Sequence, residues 1–289
     1  FTPAPTVNPT ASPDTICAGS TSVLDANATG TALTYVWNTG DTTATITVSA
    51  AGTYDVTVSN GFCPATGSIS VYQYSAPNVS LGNDQQVCPG TVVALTPSGG
   101  PYVTYNWSDG TTNATDSVSA PGDYWVTVND GNCTYVSDTF TLTNFTVVNP
   151  TLPDTGACQG TNVILTAGTG YTNIGWSTGA STASITVTTS GDYWYTATDA
   201  NGCTVQSDTS TVNILPQPAV NPVANPDTIC IGGSTTISAN ATGTNLTYVW
   251  NTGDSTSSIT VSAIGTYTVT VSNGFCSNSG SITITQYGH

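Results

Sequence analysis

Eight cysteines are the residues of this chain with the most versatile chemistry, and they fall into four pairs. The two cysteines of a pair are 46, 45, 45 and 46 positions apart, and one tryptophan lies 18 to 20 positions after the first. The four sets are Cys17/Trp37/Cys63, Cys88/Trp107/Cys133, Cys158/Trp176/Cys203 and Cys230/Trp250/Cys276. First cysteines recur at steps of 71, 70 and 72 residues, so the chain repeats one module four times.

Thiols can act as nucleophiles, metal ligands or disulfide partners, and the composition decides between these uses. The chain has no Lys, Arg or Met, and its one His is the last residue, His289. A catalytic cysteine or serine needs a neighbouring imidazole, and a thiolate metal site needs close ligand pairs such as CxxC, which this sequence lacks. We therefore expect no enzyme, no catalytic or metal-binding residue and no cofactor.

Charge and hydropathy restrict the partners and the location. At a formal net charge of −16 with no basic side chain, the chain cannot neutralise phosphates, so we expect no nucleic-acid partner. No apolar run approaches the roughly 18 residues of a membrane-spanning helix, so we expect no direct membrane insertion. Regularly paired cysteines favour an oxidising compartment, which predicts an extracellular or cell-surface protein.

The module that carries these cysteines has the pattern of a β-sandwich. Short alternating runs rich in Thr and Val, separated by turn residues such as Asn60-Gly61, predict strands. In the first copy these runs are Ser22–Ala26, Tyr35–Trp37, Thr45–Val48, Tyr54–Val58 and Ser68–Val71. We predict an all-β chain of four tandem domains over residues 1–74, 75–145, 146–216 and 217–289, called repeats 1 to 4 below. End to end, they would form an elongated rod of roughly 120–160 Å.

The constant cysteine spacing predicts one disulfide inside each repeat. Under this interpretation Cys17 pairs with Cys63, Cys88 with Cys133, Cys158 with Cys203 and Cys230 with Cys276. Closing a loop of about 46 residues is worth roughly 4 kcal/mol in the chain-entropy model. Small domains often need such a link because their hydrophobic cores are small.

Three segments of the first copy carry a family resemblance: Tyr35–Asp41, Gly52–Val58 and Asn60–Cys63. They resemble the PKD-like and Ig-like repeats of large secreted Bacteroidota surface proteins, including type IX-secreted and gliding-associated adhesins. The other copies keep the frame at Trp107–Gly110, Trp176–Gly179 and Trp250–Asp254. The resemblance implies Ig-like or PKD-like sandwiches in stalks, spacers or adhesive fibres, and it implies no catalytic activity.

A longer period lies inside the short one. Residues 7–74 and 220–287 align without a gap at an offset of 213 and are identical at about two-thirds of positions, whereas repeats 2 and 3 resemble repeat 1 much less. Two interpretations stay open. The repeating block has three domains and belongs to a longer array, or one domain was duplicated recently.

Trp125 and Trp194 are the candidate contact residues. Each follows a frame tyrosine, Tyr124 or Tyr193, so strand alternation predicts that the tryptophan points outward. An outward tryptophan can pack under a loop, contact a neighbouring repeat or a second copy of the chain, or bind the face of a sugar ring. We keep all three alternatives.

The resemblance also implies sites of O-glycosylation. The Bacteroidota pattern is Asp followed by Ser or Thr and then a small apolar residue or Thr. It is matched at Thr15, Thr42, Ser117, Thr228 and Ser255.

The sequence as a whole predicts a segment of an extracellular structural or adhesive fibre. It would provide reach or self-assemble into a filament, with neighbouring repeats or other copies of itself as partners. We expect association through repeats 2 and 3, with Trp125 and Trp194 near the contact. The alternative is a carbohydrate-binding array in which these exposed aromatic residues bind a glycan.

Overall fold

A computed structural model of the chain describes residues 3–288; Phe1, Thr2 and His289 lie outside the described residues. Every regular element within this range is a β-strand, so the predicted all-β class is confirmed. In residues 3–288 there is no helix that is long and apolar enough to span a membrane. The chain divides after Asn144 into two compact units, each holding two repeats.

The 34 strands are numbered in chain order. The first unit contains β1 (Thr6–Val7), β2 (Thr10–Ser12), β3 (Thr15–Ile16), β4 (Ser22–Asp25), β5 (Ala28–Thr29), β6 (Thr34–Trp37), β7 (Thr45–Val48), β8 (Gly52–Ser59), β9 (Pro64–Gln73), β10 (Gln85–Val87), β11 (Val93–Leu95), β12 (Thr104–Trp107), β13 (Asp116–Val118), β14 (Gly122–Tyr124), β15 (Val126–Asn129), β16 (Thr134–Val136) and β17 (Phe140–Asn144).

The second unit holds the same two kinds of repeat in the opposite order. It contains β18 (Thr155–Cys158), β19 (Val163–Thr166), β20 (Thr172–Trp176), β21 (Ser184–Val187), β22 (Gly191–Tyr193), β23 (Tyr195–Thr198), β24 (Thr204–Gln206), β25 (Ser210–Leu215), β26 (Ala219–Val220), β27 (Val223–Ala224), β28 (Thr228–Ile229), β29 (Thr235–Ser238), β30 (Ala241–Thr242), β31 (Thr247–Trp250), β32 (Ser258–Val261), β33 (Gly265–Ser272) and β34 (Ser277–Gln286).

Repeats 1 and 4 share one topology. In repeat 1 a four-stranded sheet has the order β3-β9-β8-β6, and a three-stranded sheet has the order β2-β4-β7. Repeat 4 has the same orders in β28-β34-β33-β31 and β27-β29-β32. The long strands β8 and β9 pair over eight residues around the turn at Asn60-Gly61, where Gly61 has a φ of +87° that favours glycine.

Repeats 2 and 3 interrupt the long strand at the candidate tryptophans. Trp125 separates β14 from β15, and Trp194 separates β22 from β23. The two halves then join different three-stranded sheets, β10-β17-β14 and β12-β15-β16 in repeat 2. At this point the Val126 N–H donates to Ser137 Oγ at 3.0 Å, so a side chain takes the place of one backbone acceptor, while the Val126 carbonyl still accepts from the N–H of Ser137 at 2.9 Å. Gly67 holds the register position opposite Val56 in repeat 1, where the ladder continues.

Each repeat has its own hydrophobic core, built around the tryptophan between its two cysteines. The exposed fraction of Trp37, Trp107, Trp176 and Trp250 is 4% or less, so all four are core residues. The indole N–H of Trp37 donates to the carbonyl of Thr43 at 2.9 Å, and the other three indoles make the same bond six residues ahead. This bond satisfies the one polar atom that burial of the ring takes from water.

A second bond that all four repeats share links a tyrosine hydroxyl to a carbonyl four residues upstream. The pairs are Tyr54 with Ala50, Tyr124 with Ala120, Tyr193 with Thr189 and Tyr267 with Ala263, at 2.8–3.0 Å. A bond of this kind at the start of a strand is the tyrosine corner of Ig-type sandwiches. The predicted domain limits after residues 74, 145 and 216 stay predictions; one core cluster lies within each predicted range.

Candidate functional site: disulfides between successive repeats

The first cysteine of a repeat lies at one end of its sandwich. In repeat 1, β3 runs parallel to the last strand, with Ile16 opposite Gln73 at the end of β9. Cys17 follows immediately, and a turn in which Ser20 N–H donates to the carbonyl of Cys17 leads the chain away. Each of the other three first cysteines follows, or ends, a short strand parallel to the last strand of its repeat.

The second cysteine lies at the opposite end, in the hairpin that precedes the last strand. The side chain of Asn60 accepts hydrogen bonds from the N–H groups of Phe62 and Cys63, at 3.2 and 3.0 Å. Asp130, Asp199 and Asn273 bind the N–H groups of the other three second cysteines in the same way, at 2.8 Å. A side-chain turn of this type fixes the local backbone, so the position of each thiol is well defined.

The distance between these two ends shows that our predicted pairing within repeats is wrong. The second cysteine of repeat 1 precedes Pro64 at the start of β9, and Cys17 lies beside its far end at Gln73. Ten strand residues span about 30 Å, whereas a disulfide needs Cα atoms about 4.4–6.8 Å apart. A bond from Cys17 to Cys63 would require unfolding of the sheet that contains them.

The observed disulfides connect successive repeats instead. Cys17 of repeat 1 is bonded to Cys133 of repeat 2, with Cα atoms 5.7 Å apart. Cys158 of repeat 3 is bonded to Cys276 of repeat 4, with Cα atoms 5.3 Å apart. Both bonds join the first cysteine of one repeat to the second cysteine of the next. Cys88 and Cys203 are also disulfide-bonded.

The joint between repeats 3 and 4 adds an aromatic contact to its disulfide. The ring of Phe275 lies against Gly156, two residues before Cys158; a methyl group on Gly156 would be 2.5 Å from Cζ of that ring. The sulfur of Cys158 lies 3.2 Å from the carbonyl oxygen of Phe275. Asn273 Nδ2 donates to the carbonyl of Pro216 at 2.9 Å, which holds the connecting segment against the same hairpin.

The joint between repeats 1 and 2 has the same backbone geometry with different side chains. The sulfur of Cys17 lies 3.5 Å from the carbonyl oxygen of Asn132, which occupies the position of Phe275. Thr15 replaces Gly156 on the opposite side. Hydrogen bonds from the backbone N–H groups of Cys133 and Asn132 hold the pKa of the Asp130 carboxyl below its ordinary value, because they stabilise the carboxylate.

Two cysteines have no disulfide partner in the described chain, Cys63 of repeat 1 and Cys230 of repeat 4. Cys63 is a second cysteine with no repeat before it in this sequence, and Cys230 is a first cysteine with no repeat after it. The connectivity between successive repeats therefore leaves the second cysteine of repeat 1 and the first cysteine of repeat 4 without a partner among these four repeats.

The candidate tryptophans lie at the surface. Trp125 and Trp194 are 43% and 38% exposed, and their carbonyl groups accept N–H bonds from Ser108 and Ser177 at 2.9 Å. Their role as contact residues stays a prediction. Of the predicted glycosylation sites, Thr42, Ser117 and Ser255 are exposed, and Thr15 and Thr228 are half-buried.

Comparison with solved structures finds tandem immunoglobulin domains. The N-terminal eight Ig domains of Down syndrome cell adhesion molecule align with 98% of this chain and 48% of that chain, at 15% identity and a TM-score of 0.35. Extracellular domains 3–5 of Drosophila OTK align with 74% of this chain and 99% of that chain, at 13% identity and a TM-score of 0.39. Ig domains 1–5 of Sidekick-1 align with 98% of this chain and 79% of that chain, at 14% identity and a TM-score of 0.34.

These similarities concern the fold alone. The chain spans about half the length of the first of these structures, and all three TM-scores are below 0.5, so they carry no argument about function. No protein-family model and no curated protein matches the sequence.

The sequence reasoning missed the residues that complete the joints. Gly156 and Phe275 carry no signal individually, because glycine and phenylalanine have many roles in sandwiches. Their relation becomes visible only when the hairpin of one repeat is compared with the strand before the first cysteine of the preceding repeat.

Proposed function

We propose that this chain is a segment of an extracellular structural or adhesive array in which disulfides connect each repeat to the next. The observation that supports the proposal is the pairing of Cys17 with Cys133 and of Cys158 with Cys276. Persistent disulfides belong to oxidising compartments, so the array functions outside the cell or at its surface, as in the Bacteroidota surface proteins that its motifs resemble. Its role is mechanical and adhesive, without enzymatic activity.

A disulfide across a joint changes how the array carries force. Between Cys17 and Cys133 the chain has two covalent paths, the backbone of 116 residues and the sulfur–sulfur bond. The sulfur–sulfur bond is the shorter of the two paths and therefore carries the load, while the backbone between the two cysteines stays slack. Cores that lie between bonded cysteines are thereby shielded from extension. A disulfide inside a repeat would leave the joints and the connecting segments under full load.

Single-molecule stretching from the two chain ends tests this proposal. At about 3.5 Å per residue, the fully reduced chain extends to about 1,000 Å. With Cys17–Cys133 and Cys158–Cys276 closed, only about 55 residues remain outside the bridged segments, and the limit is about 190 Å. Four disulfides within repeats would leave about 107 residues and a limit of about 370 Å.

The control for the stretching experiment is a variant with all eight cysteines replaced by serine. We expect it to reach the extension of the reduced chain with or without reductant. A limit near 370 Å for the oxidised wild-type chain would contradict the proposal, since it would place the bonds inside repeats.

The exposed tryptophans support a second, adhesive role on the same scaffold. Trp125 and Trp194 interrupt a long strand at equivalent places in repeats 2 and 3, where repeats 1 and 4 have Asp55 and Thr268. We propose that this pair is the contact for a second copy of the chain, with a polysaccharide as the alternative ligand. The net charge of −16 opposes association at low salt, and screening relieves the repulsion.

Sedimentation and glycan binding separate these two roles. Association that strengthens with added salt and disappears in the Trp125→Ala, Trp194→Ala variant supports self-contact. Binding to a glycan array that the same variant loses supports the polysaccharide. A variant with Val103→Ala, another exposed apolar side chain of repeat 2, is the control. A chain that stays monomeric at high salt and binds no glycan would leave the tryptophans without an adhesive role.

A further inference from the structure

The two unpaired cysteines have the same local conformation as their bonded counterparts. The backbone N–H groups of Phe62 and Cys63 donate to Asn60 Oδ1 at 3.2 and 3.0 Å. The N–H groups of Phe275 and Cys276 donate to Asn273 Oδ1 at 3.3 and 2.8 Å in the same way. At the other end, the carbonyl of Cys230 accepts a turn bond of 2.9 Å, equal to that of Cys158. The backbone at both cysteines therefore already has the turn found at the cysteines that form inter-repeat disulfides.

The surface around Cys63 is the uncovered equivalent of a joint. Phe62 corresponds to Phe275 at the offset of 213, yet Phe62 is 81% exposed and Phe275 is 46% exposed. Cys276 is 2% exposed, whereas Cys63 is only half-buried. The difference arises because repeat 3 covers the hairpin of repeat 4, and no repeat in this chain covers the hairpin of repeat 1.

The phenylalanine also selects the repeat that can cover it. Phe275 packs where Gly156 has no side chain: a Cβ at that position would lie 2.5 Å from the ring and 2.6 Å from the backbone oxygen of Asn213 in repeat 3. Thr15 and Thr228 occupy the equivalent position in repeats 1 and 4. Cys17, two residues after Thr15, is bonded to Cys133 of repeat 2, and that repeat has Asn132 in place of the phenylalanine. Across the two joints, a phenylalanine before the second cysteine faces a glycine, and the smaller asparagine at that position faces a threonine.

We propose that Phe62 and Cys63 form the docking surface for a further repeat of the repeat 3 kind, whose glycine two positions before its first cysteine receives the Phe62 ring and whose first cysteine bonds to Cys63. The proposal rests on the proposed array and names its next member. It also explains the period of 213 residues, since a repeat 3 before repeat 1 reproduces the order found before repeat 4. A second copy of this chain would present Thr228 to Phe62 and is the disfavoured occupant.

The same rule applies at Cys230. This thiol is exposed in a shallow depression that Ile231 and Tyr287 line, at the end of repeat 4 where a following hairpin would lie. Because Thr228 matches Thr15, the expected occupant is a repeat of the repeat 2 kind, with a small polar residue before its second cysteine.

The bond forms by exchange with a small-molecule disulfide such as oxidised glutathione. The Cys63 thiolate attacks one glutathione sulfur and releases the other glutathione as a thiolate, which leaves a mixed disulfide on Cys63. The thiolate of the incoming first cysteine then attacks the Cys63 sulfur and releases the second glutathione. Two protein thiols are oxidised to one disulfide, and one glutathione disulfide is reduced to two thiols, which take up the two protons that the protein thiols lose.

An extended chain tests the proposal. Residues 146–216 are placed before residue 4, which is equivalent to residue 217, and the added second cysteine is replaced by serine. The extended chain is oxidised with glutathione disulfide and mapped without reduction. We expect the added copy of Cys158 to be bonded to Cys63 in most molecules, and Cys63 to lose its reactivity toward maleimide.

Two variants of the extended chain test the role of the phenylalanine. Changing the added copy of Gly156→Thr is expected to lower the rate of bond formation at least tenfold. Adding Phe62→Ala to that variant is expected to restore most of the rate. No restoration would show that the clash with the repeat's own Asn213 carbonyl, and not with the ring, slows the bond, and it would overturn the glycine requirement. Bond formation that is equally fast with glycine and threonine, or no bond to Cys63 in the extended chain, would overturn the proposal.

The same experiment on the unextended chain tests whether a second copy of the chain is the occupant. Treated with glutathione disulfide and analysed by denaturing, non-reducing electrophoresis, it is expected to form no disulfide-linked oligomer and to carry glutathione on Cys63 and Cys230. A ladder of oligomers joined from Cys63 to Cys230 would show that a second copy is the occupant and would refute the glycine requirement. The same disulfide map also reports the Cys17–Cys133 bond. Absence of that bond would contradict the proposed array, whereas its presence without a bond to Cys63 would contradict only this inference.

Discussion

Replacing Cys17 and Cys133 together by serine removes the covalent link between repeats 1 and 2 without leaving a new thiol. The closed loop spans 116 positions, for which the chain-entropy model gives about 5 kcal/mol when both repeats unfold. When repeat 1 unfolds alone, its slack segment runs only to the start of repeat 2, about 60 residues, and the model gives about 4 kcal/mol. We expect the free energy of unfolding of repeat 1 to fall by about 4–5 kcal/mol.

Native-state hydrogen exchange read by mass spectrometry is the assay, because it resolves the two repeats. Amides in the ladder between β8 and β9 should exchange roughly a thousandfold faster in the double variant, since each 1.4 kcal/mol is a factor of about ten. Amides of β15 in repeat 2 should also exchange faster, because the lost bond constrained both repeats.

Cys63→Ser is the matched control, since Cys63 has no partner in this chain. It should change exchange in repeat 1 by less than twofold. Pairing within repeats makes the opposite prediction: Cys63→Ser would be as harmful to repeat 1 as Cys17→Ser, and Cys133→Ser would leave repeat 1 unchanged. That result would refute the account of the joints.

Two further predictions concern the side chains of the joints. Phe275→Ala should lower the urea stability of repeats 3 and 4 by about 1–2 kcal/mol, because the ring is about half removed from water, whereas Phe62→Ala should change stability by less than about 0.5 kcal/mol. The carboxylate of Asp130 has a lowered pKa, so its contribution to the hairpin is present above the pKa of a free aspartate and is lost as the pH falls through the folded value. Amide NMR signals of Asn132 and Cys133 should titrate with a midpoint below the ordinary pKa of aspartate, and Asp130→Asn should abolish this titration; a midpoint above the ordinary aspartate range would contradict the lowered pKa.

The strands and the core were predictable from sequence because they depend on local pattern. Alternating residues and the turn at Asn60-Gly61 indicated β8 and β9, which the structure extends to Gly52–Ser59 and Pro64–Gln73. The buried tryptophans were recognisable because each recurs at one place in every copy. The short parallel strand β3 was not predicted, since two residues carry no periodicity and its pairing with β9 spans more than fifty positions.

That missed strand is the reason for the wrong disulfide prediction. Equal spacing between Cys17 and Cys63 shows that both belong to the repeat, and it contains no information on which end of the sandwich each occupies. The parallel pairing of β3 with β9 places them at opposite ends. A constant spacing is satisfied equally well by bonds within repeats and by bonds shifted by one repeat. Only the direction of the first strand distinguishes the two.

Mass spectrometry of the unreduced chain after cleavage before aspartate tests the central claim most directly. The sixteen aspartates place all eight cysteines on different peptides, among them 14–24 with Cys17, 55–83 with Cys63 and 130–137 with Cys133. Bonds between successive repeats predict that 14–24 is joined to 130–137, while 55–83 carries a free thiol. A bond between 14–24 and 55–83 would contradict the account.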